Sequence, residues 1–361
     1  MTSKSATIVV CDGDETGQEL LTEALRVMTF ELLKIKLDFV HFDLSLAGRR
    51  ATNNEVVRQA AAAMVKSGLG LKAATITPPE IGGVGSPNRL LREGIGGSVI
   101  VRTGRRIPGV TPRVSAIDEQ IIVVRMAVGD AYGAAEGREG EAGTLGESAW
   151  RTEKVERLIC HNVAEYAFLA AEQVHGEVYG GPKWTVSPVY EGMLKEEMDA
   201  AARRHPEVGY RPELIDTTYA GLLTDSRNKP RVIPALNRDG DCLSDMVLAM
   251  FGSIAGAESI VMSLDENFRP KVSMAEAPHG TAPSLQGKNM ANPMAMLLAC
   301  AALLDQASIR FEDPQFHIAG GRLRTATLDG AAAGIRTFDL GGSSSTSDVV
   351  DDVIARLRSS L

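Results

Sequence analysis

Strand-like and helical segments alternate along the first 75 residues, and this alternation limits the chain to few fold classes. Residues 6–11 are rich in β-branched and apolar side chains, and residues 20–33 carry apolar side chains at helical spacing. The alternation continues through residues 37–42 (strand), 54–67 (helix) and 69–75 (strand). Parallel strands need crossover connections of this kind, which are usually helices. The sequence therefore predicts an α/β fold with a largely parallel sheet.

The composition narrows the range of functions. A length of 361 residues suits about two domains, and 44% apolar with 23% charged residues is ordinary for a globular protein. The net charge is −8 and no long basic run occurs, so we expect no nucleic-acid partner. The N-terminal apolar run, ATIVVC, is too short for a signal segment or a membrane span, so we expect no membrane partner.

The four cysteines lie far apart in the sequence and form no CxxC pair. Such a distribution is typical of structural thiols in a reducing compartment. We therefore predict a cytoplasmic location. The cysteines are Cys11, Cys160, Cys242 and Cys300.

Residues 276–293, EAPHGTAPSLQGKNMANP, hold too many Gly and Pro residues for a continuous helix or a central strand. They predict a shaped loop that leads into an apolar helix over residues 294–304. A loop at a helix N-terminus can direct backbone N–H groups at an anion. The alternative is an ordinary Gly/Pro-rich connection. No GxGxxG motif follows a strand, so the common dinucleotide fingerprint is absent.

Asp241 and Asp245 are four residues apart at the start of a helical pattern, which places them on one helix face. Two carboxylates there repel each other unless a positive charge lies between them. A divalent cation is the simplest such charge, and all-oxygen ligands favour Mg²⁺ or Mn²⁺. The alternative is a solvated acidic helix N-terminus, which the helix dipole also favours.

Three arginines are candidates for binding an anionic substrate. Arg92 follows a Ser-Pro-Asn turn, and Arg102 and Arg125 occupy strand-like positions among valines. Arginine suits bidentate recognition of carboxylates, and a buried arginine needs an anionic partner. Three arginines directed at one point would suit a di- or tricarboxylate. The alternative for any one of them is an ordinary surface residue.

Several long motifs resemble those of one enzyme family. HGTAP at 279–283, with GK and ANP after it, resembles the adenosine-binding loop of the isocitrate/isopropylmalate dehydrogenases, which are metal-dependent β-decarboxylating dehydrogenases. ATITP at 74–78, SPN at 86–88 and RMAVGDAY at 125–132 resemble the eukaryotic-type isocitrate dehydrogenases in particular. The segment RTFDLGG at 336–342 is more similar to the isopropylmalate and NAD-linked members.

The resemblance implies a fold and a set of site residues. It implies a large cofactor-binding α/β domain (1–97 and 253–361) and a small α/β domain (98–252) with a dimer-forming arm at about 133–187. It implies a metal held by Asp241, Asp245 and Asp216, with Asp216 supplied by the neighbouring subunit of an obligate homodimer whose active sites are shared. The implied substrate contacts are Thr77, Ser86, Asn88, Arg92, Arg102 and Arg125. The implied cofactor contacts are Thr75, His279, Gly280, Thr281, Ala282, Ser284, Leu285 and Asn292.

The resemblance also implies a reaction. A 2-hydroxy acid is oxidised by hydride transfer to a nicotinamide cofactor, and its β-carboxylate leaves as CO₂. Tyr132 matches the tyrosine that protonates the resulting enolate. Ser86 and Asn88 favour isocitrate or a close analogue, including one with a phosphonate in place of a carboxylate. Ser284 and Leu285 offer no cation for a 2′-phosphate, so NAD is favoured and NADP is not excluded. Asn292 is interpreted as an adenine contact, a helix N-cap, or both.

One departure from the family pattern concerns the proton relay. The family's relay lysine is replaced by Tyr190, and the Asn or Thr two residues later by Gly192. Tyr190 is predicted to be catalytic in a specialised enzyme, because a phenol has a reference pKa of about 10, close to that of lysine. Two alternatives stay open: Lys183 or Lys195 takes over, or the chain is a non-catalytic regulatory or structural subunit. The segment that leads to Tyr190, residues 183–189, is predicted to be a strand.

Overall fold

The computed structural model describes residues 5–78, 83–112, 118–224 and 229–360. The described residues form twelve β-strands and twelve α-helices. The strands are β1 (Ala6–Asp12), β2 (Leu37–Asp43), β3 (Leu69–Lys72), β4 (Val99–Gly104), β5 (Ile121–Met126), β6 (Asp130–Glu139), β7 (Ser148–Lys154), β8 (Glu177–Tyr179), β9 (Gly209–Arg211), β10 (Arg231–Ala235), β11 (Glu258–Leu264) and β12 (Pro270–Glu276). The helices are α1 (Glu15–Leu25), α2 (Phe30–Leu33), α3 (Leu46–Ala51), α4 (Glu55–Ser67), α5 (Pro87–Gly94), α6 (Arg157–Gln173), α7 (Tyr190–Arg204), α8 (Ile215–Thr224), α9 (Asn237–Met250), α10 (Met294–Phe311), α11 (Pro314–Ala332) and α12 (Thr346–Ser359).

Ten of the strands form one sheet in the order β2-β1-β3-β12-β11-β4-β5-β10-β8-β9. The predicted α/β class is confirmed. The sheet is mixed, because β11 is antiparallel to β12 and β4, and β4 is antiparallel to β5, while the other neighbours are parallel. The five strands from β2 to β11 come from the predicted large domain, and the five from β4 to β9 from the predicted small domain. The division into two domains stays a prediction.

Helix α10 forms much of the core beneath the sheet. Twelve of its residues are buried, among them Leu297, Leu298 and Leu304, and it packs on α11 and β12. Its length and apolar composition would also allow it to cross a membrane, but 67% of it is buried within the fold. Burial on this scale is what a core helix of a globular protein requires.

Strands β6 and β7 form a separate antiparallel ribbon whose side chains are mostly exposed. The sequence predicts a loop or an exposed arm over 132–151, and the structure has a ribbon in that place. Trp150 packs over Gly137, where an added Cβ would lie 2.8 Å from the indole ring. A two-stranded ribbon is only marginally stable by itself. This ribbon therefore suits the predicted role of an arm that docks on a neighbouring copy of the chain.

The predicted strand over residues 183–189 is wrong. These residues form turns, and α7 begins directly at Tyr190. Pro182 and Pro188 lie at the two ends of the segment. Proline lacks the N–H that a strand ladder needs, so the turn outcompetes the strand here.

Candidate active site

A cavity of about 800 Å³ opens where β3, β4, β5 and β12 meet α5 and α9. It is lined by most of the residues predicted to bind substrate and metal, by the predicted catalytic Tyr132, and by three of the predicted cofactor contacts. These are Thr75, Thr77, Ser86, Asn88, Arg92, Arg102, Arg125, Tyr132, Asp241, Asp245, His279 and Gly280.

Sheet register brings two of the arginines to one face. Ile100 of β4 pairs with Arg125 of β5, so Arg102, two residues along β4, points to the same side as Arg125. Arg125 is 1% exposed, donates from Nε to Asn237 Oδ1 at 2.9 Å, and forms an ion pair with Asp241. The predicted burial of Arg125 with an anionic partner is thus present.

Arg102 contacts both predicted metal-binding carboxylates. Its Nη1 lies 3.1 Å from Asp245 Oδ1 and 3.4 Å from Asp241 Oδ1, and it donates to Ser244 Oγ at 2.9 Å. Asp241 and Asp245 both lie on α9, four residues apart, as the spacing predicts. The positive charge between the two carboxylates in this structure is therefore the guanidinium of Arg102.

The two carboxyl groups differ in their acidity. Burial would raise the pKa of Asp241, but Arg125, the Tyr132 hydroxyl and Arg102 lower it below its usual value. Burial raises the pKa of Asp245, and Arg102 offsets this only in part. Burial lowers the pKa of Arg125 to about 10, with Arg92 and Arg102 acting in the same direction. Positive charge is thus concentrated beside Asp241.

Tyr132 reaches the same carboxylate from the ribbon. Its hydroxyl donates to Asp241 Oδ2 at 2.5 Å, and the guanidinium of Arg125 lies 5.1 Å from the ring centroid. Burial and the hydrogen bond to Asp241 raise the pKa of Tyr132 above its usual value. The phenol therefore keeps its proton near neutral pH, which suits an acid and not a base.

Sequence reasoning missed two charged residues in the cavity wall. Lys72 is 2% exposed, and its Nζ lies 3.2 Å from Glu276 Oε2. Glu276 Oε1 lies 3.7 Å from Nη2 of Arg92. Burial would raise the pKa of Glu276, but Lys72, Arg92 and Arg102 together lower it to about 2. The signal in the sequence was a charged residue at the end of each of two strands whose preceding residues are mainly apolar.

Because the pKa of Glu276 in the folded protein lies below its usual 4.5, its ionised form stabilises the fold above about pH 4.5. That stabilisation is lost as the pH falls from 4.5 towards 2, and its size is roughly 3 kcal/mol. We expect Glu276→Gln to lower the free energy of unfolding at pH 7 and to flatten its dependence on pH in this window. Urea unfolding at several pH values measures both effects.

The matched control is Glu147→Gln, because Glu147 also has a lowered pKa but lies in the connection between β6 and β7, where it pairs with Arg138, whose side chain is 75% exposed. Water screens that pair, so its removal should leave the stability profile nearly unchanged. Equal pH profiles for Glu276→Gln and the wild type would show that the buried carboxylate is not ionised as described.

A second cavity, of about 450 Å³, lies beside the loop 277–293 and shares His279 with the first. Its wall is mainly apolar and includes the predicted cofactor residues Ala282, Leu285 and Asn292, together with Phe338. Thr281 and Ser284 are in the same loop but do not line this cavity. The backbone carbonyl of Ala282 accepts from Thr16 Oγ1 at 2.8 Å, which fixes the loop against α1.

The N-cap residue of α10 is Pro293, and Asn292, one position earlier, caps the first N–H of the helix with its side chain. Its Oδ1 accepts from the Met294 N–H at 3.0 Å, and its Nδ2 donates to Asp339 Oδ2 at 3.0 Å. The cap satisfies an N–H group that no residue within α10 can accept. The side chain still lines the second cavity, so its predicted contact with adenine remains a prediction.

The walls of the two cavities are suited to bind ligands, because they contain buried polar atoms that have no hydrogen-bond partner among the described residues. Within the described ranges, four such atoms belong to predicted site residues, and leaving a buried polar atom unpaired costs free energy that a ligand would recover. They are Asn88 Oδ1, Arg92 Nε, Arg102 Nε and His279 Nε2. Burial lowers the pKa of His279, so its ring is neutral and Nε2 is free to bond a ligand.

A family model described as isocitrate/isopropylmalate dehydrogenase matches residues 7–353. The chain belongs to the isocitrate/isopropylmalate dehydrogenase family. It is similar to catalytic subunit 6 of the mitochondrial NAD isocitrate dehydrogenase of Arabidopsis thaliana, with 29% identity over 348 residues, 93% of this chain and 84% of the relative. It is also similar to a regulatory polypeptide of the mitochondrial NAD isocitrate dehydrogenase of Dictyostelium discoideum, with 26% identity over 100% of this chain and 94% of the relative.

Among solved structures, the isocitrate dehydrogenase of Methylococcus capsulatus superposes with a TM-score of 0.85. The match covers 98% of this chain and 99% of that chain at 20% sequence identity. At this identity the similarity establishes the fold. It confirms the predicted isocitrate/isopropylmalate dehydrogenase-like architecture.

Two predicted site residues, the metal ligand Asp216 and the catalytic Tyr190, do not line the first cavity in the single chain. Asp216 is exposed on α8, and its Oδ1 pairs with Lys183 Nζ at 2.5 Å. Tyr190, at the start of α7, donates to Asp130 Oδ1 at 2.7 Å. Asp216 therefore does not join Asp241 and Asp245 within one chain, and its predicted contribution to the neighbouring protomer remains a prediction.

Proposed function

We propose that this chain catalyses the metal-dependent oxidative decarboxylation of an isocitrate-like 2-hydroxy acid, with hydride transfer to NAD(P). The observation that carries the proposal is the convergence of Arg92, Arg102 and Arg125 with Asp241 and Tyr132 on one cavity. Three arginines bind carboxylates, and a paired set of acids beside a protonated phenol provides the metal and proton chemistry.

Arg92 and Arg102 have donor atoms available to a substrate, whereas Arg125 is held by its partners. Arg125 is fixed by Asn237 and Asp241, whereas Arg92, among the described residues, pairs with Glu276 at 3.7 Å and keeps an unpaired Nε. Arg102 also keeps an unpaired Nε. Arg92 and Arg102 therefore offer free donors to substrate carboxylates, with Ser86 and Asn88 beside them at the start of α5 to receive the remaining polar group.

Asp241 and Asp245, with Asp216 from a second copy of the chain, are the residues that would hold Mg²⁺ or Mn²⁺. The all-carboxylate donor set suits these ions. When bound there, the ion would withdraw electrons from the substrate hydroxyl and its neighbouring carboxylate. Arg102, which now lies between the two carboxylates, would then be released to the substrate. Members of the family act as dimers, so we propose a homodimer with shared sites.

Tyr132 would supply the proton that replaces the lost CO₂. Its hydroxyl already points at Asp241, and the phenol is held in its protonated form. The role requires a donor within hydrogen-bond reach of the carbon that has lost the carboxylate.

NAD is the favoured cofactor. The described wall of the second cavity contains Asp339 and neither Lys nor Arg. A carboxylate accepts a hydrogen bond from a free ribose hydroxyl but repels a 2′-phosphate.

The four free thiols support a cytoplasmic location.

The test is the absorbance of reduced nicotinamide in the presence of Mn²⁺ and D-isocitrate, and then of isocitrate analogues, with NAD and NADP compared. We expect turnover on at least one of these acids, a preference for NAD, and loss of activity when a chelator removes the metal. No turnover with any analogue would contradict the proposal.

A second candidate function is that of a non-catalytic regulatory subunit. The observations in its favour are the replacement of the relay lysine by Tyr190 and the similarity to a regulatory member of the family. Calorimetric binding of a tricarboxylate without any turnover would support this candidate over the enzyme.

A further inference from the structure

Asp130 is the first residue of β6, and its carboxylate accepts hydrogen bonds from both α7 and α9. It is 4% exposed and adopts a left-handed backbone conformation, with φ +60°, directly after Gly129 with φ +76°. Aspartate tolerates this region better than most residues, but the position is still uncommon for a non-glycine residue. A buried carboxylate in such a conformation must be held by its contacts.

One oxygen of Asp130 holds the N-terminus of α9. Oδ2 accepts from the Arg238 N–H at 2.7 Å, while the N-cap residue of this helix, Leu236, has no polar side chain. Asp130 therefore acts as the cap of α9 from a separate strand. The positive end of the helix dipole favours a carboxylate at this place.

Two further contacts join the start of β6 to α9. The carbonyl of Gly129 accepts from Asn237 Nδ2 at 3.1 Å, and Tyr132 donates to Asp241. The strand that carries the proposed proton donor and the helix that carries the proposed metal ligands are thus linked at three successive points. Asp130 supplies the carboxylate at the central point.

The other oxygen of Asp130 accepts from Tyr190 at 2.7 Å. A phenol that donates to a carboxylate keeps its proton on its own oxygen. Burial, Asp130, Glu153 and Cys160 all act to raise the pKa of Tyr190. The contact therefore makes Tyr190 a fixed donor.

We propose that Asp130 is a positioning residue that keeps Tyr132 in register with Asp241, and that Tyr190 holds Asp130 in place and takes no part in proton transfer. The catalytic readouts of this inference rest on the proposed function. The readout of metal affinity does not, because it needs no turnover.

The experiment compares Asp130→Asn, Tyr190→Phe and the double variant, each as the full-length protein. An asparagine accepts only through Oδ1, so it cannot accept from both the Arg238 N–H and the Tyr190 O–H, and the negative charge at the N-terminus of α9 is lost. We expect Asp130→Asn to weaken Mn²⁺ binding and to lower kcat, each about 10- to 100-fold, as changes to outer partners of metal ligands commonly do.

Tyr190→Phe should lower both Mn²⁺ affinity and kcat by about 3- to 10-fold, with an unchanged pH profile of kcat, since it removes one neutral donor. The double variant should match Asp130→Asn, because the two residues act through one contact.

Tyr210→Phe is the matched control. Tyr210 donates to Asp199 Oδ1 at 2.7 Å, the same distance as between Tyr190 and Asp130, but Asp199 pairs with Lys195 on α7, whereas Asp130 accepts from the N-terminus of α9. It should leave kcat and Mn²⁺ affinity unchanged. Titration calorimetry with Mn²⁺ alone and kcat measured across pH give the two readouts.

Two results would overturn the inference. A Tyr190→Phe variant that loses more than about a hundredfold in kcat, together with one limb of the pH profile, would make Tyr190 a proton carrier. Unchanged Mn²⁺ affinity in both variants would remove the positioning role of Asp130. If Asp130→Asn does not fold, the Mn²⁺ affinity of Tyr190→Phe is the test: a loss of about 3- to 10-fold supports the proposal and an unchanged affinity contradicts it. If the wild type turns over no substrate, the proposed function fails while the Mn²⁺ comparison still tests Asp130.

Discussion

We expect the replacement of Asp241 with asparagine to lower kcat/KM with Mn²⁺ by about a hundred- to several-thousandfold. Asp241 is the carboxylate that Arg125, Arg102 and Tyr132 all contact, and it is a proposed metal ligand. Removing it leaves Arg125, which is 1% exposed, with the neutral Asn237 as its remaining partner described above. Removing one partner of a buried ion pair costs about 3–5 kcal/mol, and the same cost in the transition-state complex corresponds to roughly a hundred- to several-thousandfold in kcat/KM.

Steady-state kinetics with the best substrate, together with Mn²⁺ titration, measures this effect. The matched control is Asp239→Asn on the same helix, because Asp239 pairs with Arg238 at 3.6 Å and does not line the cavity. We expect that variant to keep activity within a few-fold of the wild type. Comparable losses in both variants would indicate a general defect of α9 and would contradict a specific role for Asp241.

Mixing two inactive variants should restore activity if the active sites are shared between protomers. Asp216→Asn and Asp241→Asn homodimers each carry a defect in both sites. A heterodimer of the two has one site with both defects and one intact site, if Asp216 acts in the partner's cavity. Random reassembly makes half of the dimers mixed, so about a quarter of the wild-type activity should return.

The geometry of the single chain motivates this experiment, because Asp216 is exposed and lines no part of the cavity that holds Asp241. Refolding equal amounts of the two variants together, followed by an absorbance assay, gives the result. Each variant refolded alone serves as the control. No recovery in the mixture, with dimers confirmed by light scattering, would mean that Asp216 serves its own chain or neither site.

The sequence predicts the positions of those site residues whose strand or helix can be recognised from neighbouring residues. Arg102 and Arg125 lie in strands that their valine neighbours indicate, and Asp241 and Asp245 share a helix face because of their spacing. The apolar helix after the loop was also predicted, although α10 continues to Phe311. Each of these predictions depends on contacts or periodicity within about ten residues.

Features that depend on distant pairing were not predicted. Lys72 meets Glu276 because β3 and β12 are parallel neighbours in a register that matches these two positions, and no local pattern reveals that register. Tyr190 meets Asp130 across 60 residues, a separation that local patterns do not bridge either. Residues 183–189 form turns because Pro182 and Pro188 cannot donate to a strand ladder, although the apolar residues near them favour a strand.

The position of β12 in the sheet has a consequence for how this protein is made. β12 lies between β3 and β11, so the middle of the sheet stays open until residue 276 has left the ribosome. Contacts between such distant segments form slowly, and strand edges that are exposed meanwhile promote aggregation. One edge of β3 therefore stays unpaired through most of the synthesis of the chain. We expect chaperones that bind exposed strand edges to reduce aggregation of the nascent protein.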